Sequence, residues 1–269
     1  MPIRTLHGVI AGMLARQDLL KTTGTLEAAG IIHSLLYTPG RPGAGVAPTP
    51  GLAGVALTSY GGQIPHQDAP VLQQTYLAQF EAVANQVGSL LVWDRLWHNS
   101  GIAVTTTGAQ AINSVALPPR DRLGTADGDG VLVGIEVSAA TTNGGAITNT
   151  TLGYTNSNGV AGRTATLASF PATAVLGTFV PFALQGGDGG VRSVQSLTLG
   201  TSYGGGAIHL VAYRPMAGLG LPMPGVMVKG NVVELGFNRL FDGTVPWPLW
   251  VAASTAAVQV VGAIAETQG

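Results

Sequence analysis

From about residue 53 onwards, apolar and polar positions alternate in short runs, and most runs are bounded by Gly, Asn or Pro. The segments 75–84 (TYLAQFEAVA), 89–96 (SLLVWDRL), 131–139 (VLVGIEVSA), 148–156 (TNTTLGYTN), 162–168 (GRTATLA), 191–199 (VRSVQSLTL), 207–214 (AIHLVAYR) and 230–237 (GNVVELGF) are predicted strands. Asn158-Gly159 lies between two of them and predicts a type I′ hairpin, in which both central residues take positive φ. Short strands at this spacing, without helices between them, predict an all-β chain folded as an antiparallel, jelly-roll-like β-sandwich. No 20–50-residue period recurs, so the chain is not a solenoid.

The N-terminal part reads differently. Residues 7–20 (HGVIAGMLARQDLL) place Val9, Ile10, Met13, Leu14 and Leu20 on or near one face of a helix. Such a helix packs on its own domain or docks on a neighbouring subunit. Residues 37–54 (YTPGRPGAGVAPTPGLAG) are so dense in Pro and Gly that neither helix nor ladder can run through them. They are expected to form an extended arm, disordered in a free monomer and ordered along a neighbour. The expected division is thus helix and arm over 1–54 and a sandwich domain over 55–269. The apolar run 245–265 contains Pro246, Pro248 and Gln259 and alternates near its end, which predicts buried strands rather than a membrane span. The first twenty residues lack the long apolar stretch of a signal peptide.

Composition narrows the function classes. Charged residues make up 9% of the chain, against roughly 25% in an average soluble domain. A monomer normally stays soluble behind a charged surface, so low charge points to a component of an assembly, with the helix 7–20, the arm 37–54 and the segment 245–265 as contact regions. Val9, Ile10, Met13, Leu14, Trp247 and Trp250 are the candidate interface residues. A net charge of −1 offers no footprint for nucleic acid. The absence of cysteine rules out disulfides and thiol chemistry.

Reactive side chains concentrate in residues 94–102 (DRLWHNSGI). A hydrolase would need Asp94, His98 and Ser100 in one hydrogen-bonded chain. Strand alternation instead puts Asp94, Leu96 and His98 on one face and Arg95, Trp97 and Asn99 on the other, and no G-x-S-x-G elbow surrounds Ser100. The stretch therefore reads as a strand end and turn, with Trp97 as a packing anchor. Residues 121–130 (DRLGTADGDG) faintly resemble a calcium loop but lack the D-x-D-x-D-G spacing and closing Glu, so a solvated loop is the preferred reading. Asp188 in QGGDGG reads as a lone carboxylate in a flexible turn, and the five histidines show no metal spacing. Trp247 and Trp250 in PWPLW are a candidate sugar-stacking platform, although packing in a core or interface is the simpler role. No catalytic, cofactor or metal residues are assigned.

The phrases GVALTSYGGQIP (54–65), LLVWDRLWHNSGIAVTTTGAQAINSVALPPRD (90–121) and GVLVGIEVSAATTNGGAITNTTLGYTNSNGVAGRTATL (130–167) resemble structural proteins of tailed-bacteriophage virions, over roughly residues 30–240. The resemblance implies a non-enzymatic virion component, either a head decoration (cement) protein or a neck or collar part. Its partners would be itself, as a homo-oligomer, and the major capsid protein or portal and neck proteins, without nucleic acid or membrane. Assembly would take place in the host bacterial cytoplasm. The alternative reading is a fibre or adhesin module that binds host glycans.

Overall fold

The computed structural model describes residues 3 and 5–269. It has one short helix, α1 (Leu6–Ala11), followed by β1 (Gln17–Thr22), β2 (Ile32–Ser34), β3 (Gly40–Arg41), β4 (Val55–Ala56), β5 (Thr75–Ala84), β6 (Gly88–His98), β7 (Ala109–Ala111), β8 (Leu132–Ala139) and β9 (Thr151–Asn156). Then come β10 (Arg163–Thr166), β11 (Thr178–Pro181), β12 (Val191–Thr198), β13 (Ala207–Leu221), β14 (Val228–Asn231), β15 (Arg239–Leu240), β16 (Pro246–Ala252) and β17 (Gln259–Gln268). The fold is all-β and antiparallel, as the alternation predicts.

Contacts divide the chain into two compact units. The first comprises 1–45, 58–94 and 216–269, and the second comprises 46–57 and 95–215. The expected boundary at residue 54 falls within 46–57, a segment of the second unit. Each unit has its own apolar core.

In the first unit one sheet runs in the order β14-β5-β17-β1-β3, with β15 also on β5. Its centre is the long pairing of β5 with β17, from Thr75↔Gln268 to Ala84↔Val260. Strand β16 lies between β2 and the first part of β6. Phe80, Ile264, Leu90, Val92 and Trp250 from these strands join in one core. Trp247 packs edge-on against Trp93 at 6.1 Å, and its indole N–H donates to Ser34 Oγ at 2.8 Å. The apolar run 245–265 therefore forms β16 and most of β17, and no helix among the described residues is long and apolar enough to cross a membrane.

In the second unit one sheet has the order β10-β9-β12-β7. Strand β8 pairs with β11 on one side and with residues 207–213 of β13 on the other, while β4 pairs with the end of β6. Leu96, Trp97, Ile135, Tyr154, Val194, Tyr203 and Leu210 belong to its core.

Three local expectations are corrected. The predicted helix over 7–20 is confined to Leu6–Ala11, capped by Thr5, whose Oγ1 accepts the Gly8 N–H. It stops because Gly12 lies against β17, where an added Cβ would meet Gln268 O at 2.1 Å. Residues 17–22 then take the ladder that β17 offers, burying Leu19 and Lys21 and exposing Asp18 and Leu20. The run 230–237 is a strand only to Asn231, whose Oδ1 accepts the N–H groups of Val233 and Glu234 and so turns the chain. At the β9–β10 hairpin, Gly159 takes positive φ while Asn158 does not, so the turn is not type I′.

Gly134 on β8 has no room for a side chain, because a Cβ would lie 2.2 Å from the Phe179 ring. That ring is fixed edge-on to Tyr213 at 5.3 Å. Gly134→Ala should therefore cost about 1–3 kcal/mol by overpacking. Gly144→Ala, at a site with nothing within 4 Å, should stay within about 0.5 kcal/mol of the parent. Urea unfolding of the two variants checks the contrast.

Candidate functional site

The second unit buries a connected set of polar side chains where β6, β8 and β13 meet. Alternation along β8 puts Glu136 and Ser138 on one face, and register places His209 of β13 opposite Glu136. Arg95 and Glu136 are both fully buried, with Nη2 donating to Oε2 at 2.7 Å. Arg95 also donates to His98 Nδ1, from Nε at 3.3 Å. His209 Nδ1 lies 3.0 Å from the Asn99 carbonyl, so it carries the proton, and Nε2 accepts the Ser138 hydroxyl. Burial, with the Arg95 charge added, pushes His98 down to about 2. Burial and Arg95 also lower His209, although Glu136 opposes them.

This arrangement contains a serine and a histidine in contact, which sequence reasoning missed. The only available signal was the shared strand face of residues 136 and 138. A triad would place a carboxylate behind the histidine to stabilise the imidazolium. Here a peptide carbonyl occupies that position and Glu136 is committed to Arg95. Both histidines are held neutral, which suits a packed core.

The predicted trio is not brought together as a triad. Asp94 Oδ1 accepts the Val245 N–H at 3.0 Å, and His98 Nδ1 faces Arg95. Ser100 Oγ accepts the Gly51 N–H at 2.8 Å, and Gly51 O accepts the Ser100 N–H at 2.9 Å. Asn99 Nδ2 donates to Leu52 O and Trp97 Nε1 to Ala53 O. Three side chains of the quoted stretch thus fasten residues 51–53 of the Pro/Gly segment to its own unit. Arg120 donates to Leu57 O at 2.8 Å and extends the attachment to the end of that segment. The arm expected to lie along a neighbour is held within its own chain. The buried Lys21 does the same for the segment's earlier part, donating to Thr38 O and Gly43 O, and burial lowers its amine to about 8.

The acidic loops also serve local structure. Asp121 accepts the N–H groups of Leu123, Thr125, Gly128 and Asp129 and the Thr125 hydroxyl. Burial works against its charge, but these donors outweigh it and lower the carboxyl. Asp129 pairs with Arg122 and Asp127 with Arg192, so the loop is solvated on its outside, as expected, and drawn around the buried Asp121. Among the described residues no group of three His, Cys, Asp or Glu is placed to hold a metal ion. Asp188, read as a lone carboxylate, is a hub: Arg163 binds it through Nε and Nη2 at 2.9 and 3.0 Å, with Tyr154 and Asn156 also donating. Arg163, Tyr154 and Asn156 hold its carboxyl down to about 2.

The candidate interface residues divide. Ile10 is 62% and Met13 41% exposed, and Val9 and Leu14 are half-buried. Trp247 and Trp250 are fully buried in the first unit. Their place at an interface, and the sugar-stacking platform, are corrected to core packing.

No family model and no curated protein matches the chain. Among solved structures it is similar to VP2 of infectious bursal disease virus in a subviral particle, at 9% identity and a TM-score of 0.17, covering 95% of this chain and 81% of that one. T=1 particles derived from the same virus give 11% identity and a TM-score of 0.17, covering 95% and 79%. TM-scores this low do not establish a shared fold, so the role is read from the chain's own residues.

Two outcomes follow from the buried cluster. Glu136→Ala leaves Arg95 buried without its carboxylate and should cost about 3–5 kcal/mol. Arg95→Met combined with Glu136→Leu should cost much less, measured by urea unfolding. The pH dependence has a definite sign. A histidine whose folded pKa is lowered binds a proton more readily when unfolded, so stability is lost as pH falls below about 6.5. His98 should contribute about 1.4 kcal/mol of loss per pH unit between pH 6 and 4. Denaturation midpoints across that range should fall, and His98→Gln should flatten the slope.

Proposed function

We propose that this chain is a non-enzymatic structural component of a virion, with a tailed bacteriophage as its source and capsid decoration or the neck and collar as its place. It would act by burying apolar surface against copies of itself and against capsid or connector subunits. The observation that carries the reading is the pairing of a charge-poor composition with bulky apolar side chains left exposed, adjacent at Val71 and Leu72 and lining one groove at Leu6, Val233 and Phe237. Only 9% of residues are charged, and several of those, including Lys21, Glu81, Asp94, Arg95, Arg120, Asp121, Glu136 and Glu266, are buried. Meanwhile Leu6, Ile10, Val71, Leu72, Met223, Val233 and Phe237 are each more than half exposed. Isolated exposed apolar residues are ordinary, but contiguous ones mark contact sites.

The resemblance of residues 54–65, 90–121 and 130–167 to phage structural proteins supports the same reading and supplies the virion. The commitment of Asp94, His98 and Ser100 to separate internal partners favours a structural role over hydrolysis. The glycan-binding alternative loses its aromatic platform to the core.

Quantitative mass spectrometry of purified particles of the encoding virus tests the proposal. Hundreds of copies per particle are expected for a decoration protein, and about six, twelve or a small multiple for a neck or collar part. Absence from purified particles would contradict it.

A further inference from the structure

Residues 65–73 of the first unit run as a strap with no strand of their own, across the end of β17 and the turn at 241–243. Within the strap a tight turn at 70–73 is closed by the Gln73 N–H on Pro70 O at 2.9 Å. Ala69 N–H donates to Asp242 Oδ1, Gly243 N–H to Asp68 Oδ1, and Gln268 Nε2 to the carbonyls of Gln67 and Asp68. These bonds join exposed groups, which water can satisfy instead at little cost. Leu72, at φ +69°, holds a conformation that bulky residues avoid, so the backbone of the strap itself favours release. One side chain of the strap is deeply buried, that of His66, at 3% exposure. The rest of the strap is exposed or half-buried.

His66 Nδ1 lies 2.9 Å from Glu266 Oε1, while Nε2 lies 3.1 Å from Phe241 O and 3.4 Å from Asp68 Oδ1. Both ring nitrogens therefore face acceptors. A neutral imidazole offers one donor and one acceptor nitrogen, so against an ionised Glu266 only the imidazolium satisfies both contacts. The other buried histidines are built the opposite way. His33 Nε2 accepts the Glu27 N–H, His98 Nδ1 accepts from Arg95, and His209 Nε2 accepts the Ser138 hydroxyl. The charged groups that face His66 are Glu266 from β17 and Asp68 from the strap. On the 239–243 side the ring meets a carbonyl, with Asp242 taken by the Ala69 N–H and Arg239 stacked on the Phe241 ring. Burial works against the imidazolium, but Glu266, Asp68 and the Phe241 carbonyl outweigh it and hold its pKa above the ordinary value.

We infer that His66 is a proton-operated latch: its imidazolium clamps the strap 65–73 to β17 and the 241–243 turn, and loss of the proton releases the strap. Once the proton leaves, one ring nitrogen turns a lone pair on an acceptor oxygen in a site nearly closed to water, a costly arrangement for a buried polar group. Only the surface bonds then hold the strap. Its release uncovers Glu266 and the last residues of β17. A histidine whose folded pKa is raised contributes stability that is complete below about 6.5 and lost as pH rises through the folded value. His98 has the opposite sign, so the strap of the first unit opens on the alkaline side while the second unit weakens on the acid side. The latch would operate whether or not the chain is part of a virion.

NMR of the full chain between about pH 6 and 10 tests the latch, and the His66 ring should titrate above about 6.5. Through that same titration the Gln67 and Ala69 amides should lose about tenfold or more in protection, after correction for base-catalysed exchange. The Phe80 and Ile264 amides, in the buried β5–β17 pairing, should keep theirs. Lys21, whose amine burial lowers to about 8, also titrates in this range, and two variants separate it from His66. Glu266→Gln keeps the size and removes the carboxylate, so it should lower the His66 pKa and carry the loss of strap protection down with it. His66→Gln should abolish the pH step. A parent His66 that titrates at or below about 6.5, or a strap equally protected on both sides of the titration, would overturn the latch. So would a step that survives His66→Gln, or one that stays in place when Glu266→Gln moves the His66 pKa.

Discussion

The second unit depends on an ion pair that cannot be left half-made. Arg95 and Glu136 are both fully buried, and either charge alone in that core would cost several kcal/mol. Their pairing fixes the end of β6 against β8. From that end, Trp97, Asn99 and Ser100 reach the segment 51–53, and Asn99 also ties to Leu210 by accepting its N–H at 2.8 Å. A charge in the interior therefore determines the course of a Pro/Gly segment that has almost no ladder of its own.

The same device recurs wherever a loop lacks regular structure. Asp121 gathers four backbone N–H groups in the loop that precedes β8, and Asp188 joins Tyr154, Asn156 and Arg163. Glu266 meets His66 beneath the 70–73 turn. Glu81 pairs with Lys229 and Arg16. A chain with few charges uses several of them as internal fasteners, which leaves its outer surface poor in charge. That division links the fold to the proposed role, since a surface with little charge and exposed apolar groups is suited to repeated subunit contact.

Much of the β architecture is legible in period-2 alternation, as the close agreement at 75–84 and 191–198 shows. What alternation cannot supply is partnership at a distance. Residues 7–20 fit a helical stripe locally, yet β17 provides a ladder for 17–22 and stops the helix at Gly12. The burial of Trp247 and Trp250 depends on β2 and β6 flanking β16, strands far away in sequence. The division into two cores was hidden for the same reason, because both units are assembled from discontinuous segments. Asp188 was unreadable because its partners lie 25 to 34 residues away. Alternation along 94–102 separated Arg95 from His98, which the structure joins, and the fastening of 51–53 by Trp97, Asn99 and Ser100 required partners distant in sequence.

The central claim is that these buried polar side chains hold the fold, and amide hydrogen exchange of the isolated chain tests it most directly. The Gly51 and Ser100 amides, which bond across the Pro/Gly segment, should exchange only as slowly as the core amides of β8 and β13 do. Protection of this kind in a chain at monomeric concentration would match the account. Exchange of Gly51 and Ser100 at the rate of an unstructured peptide would contradict it.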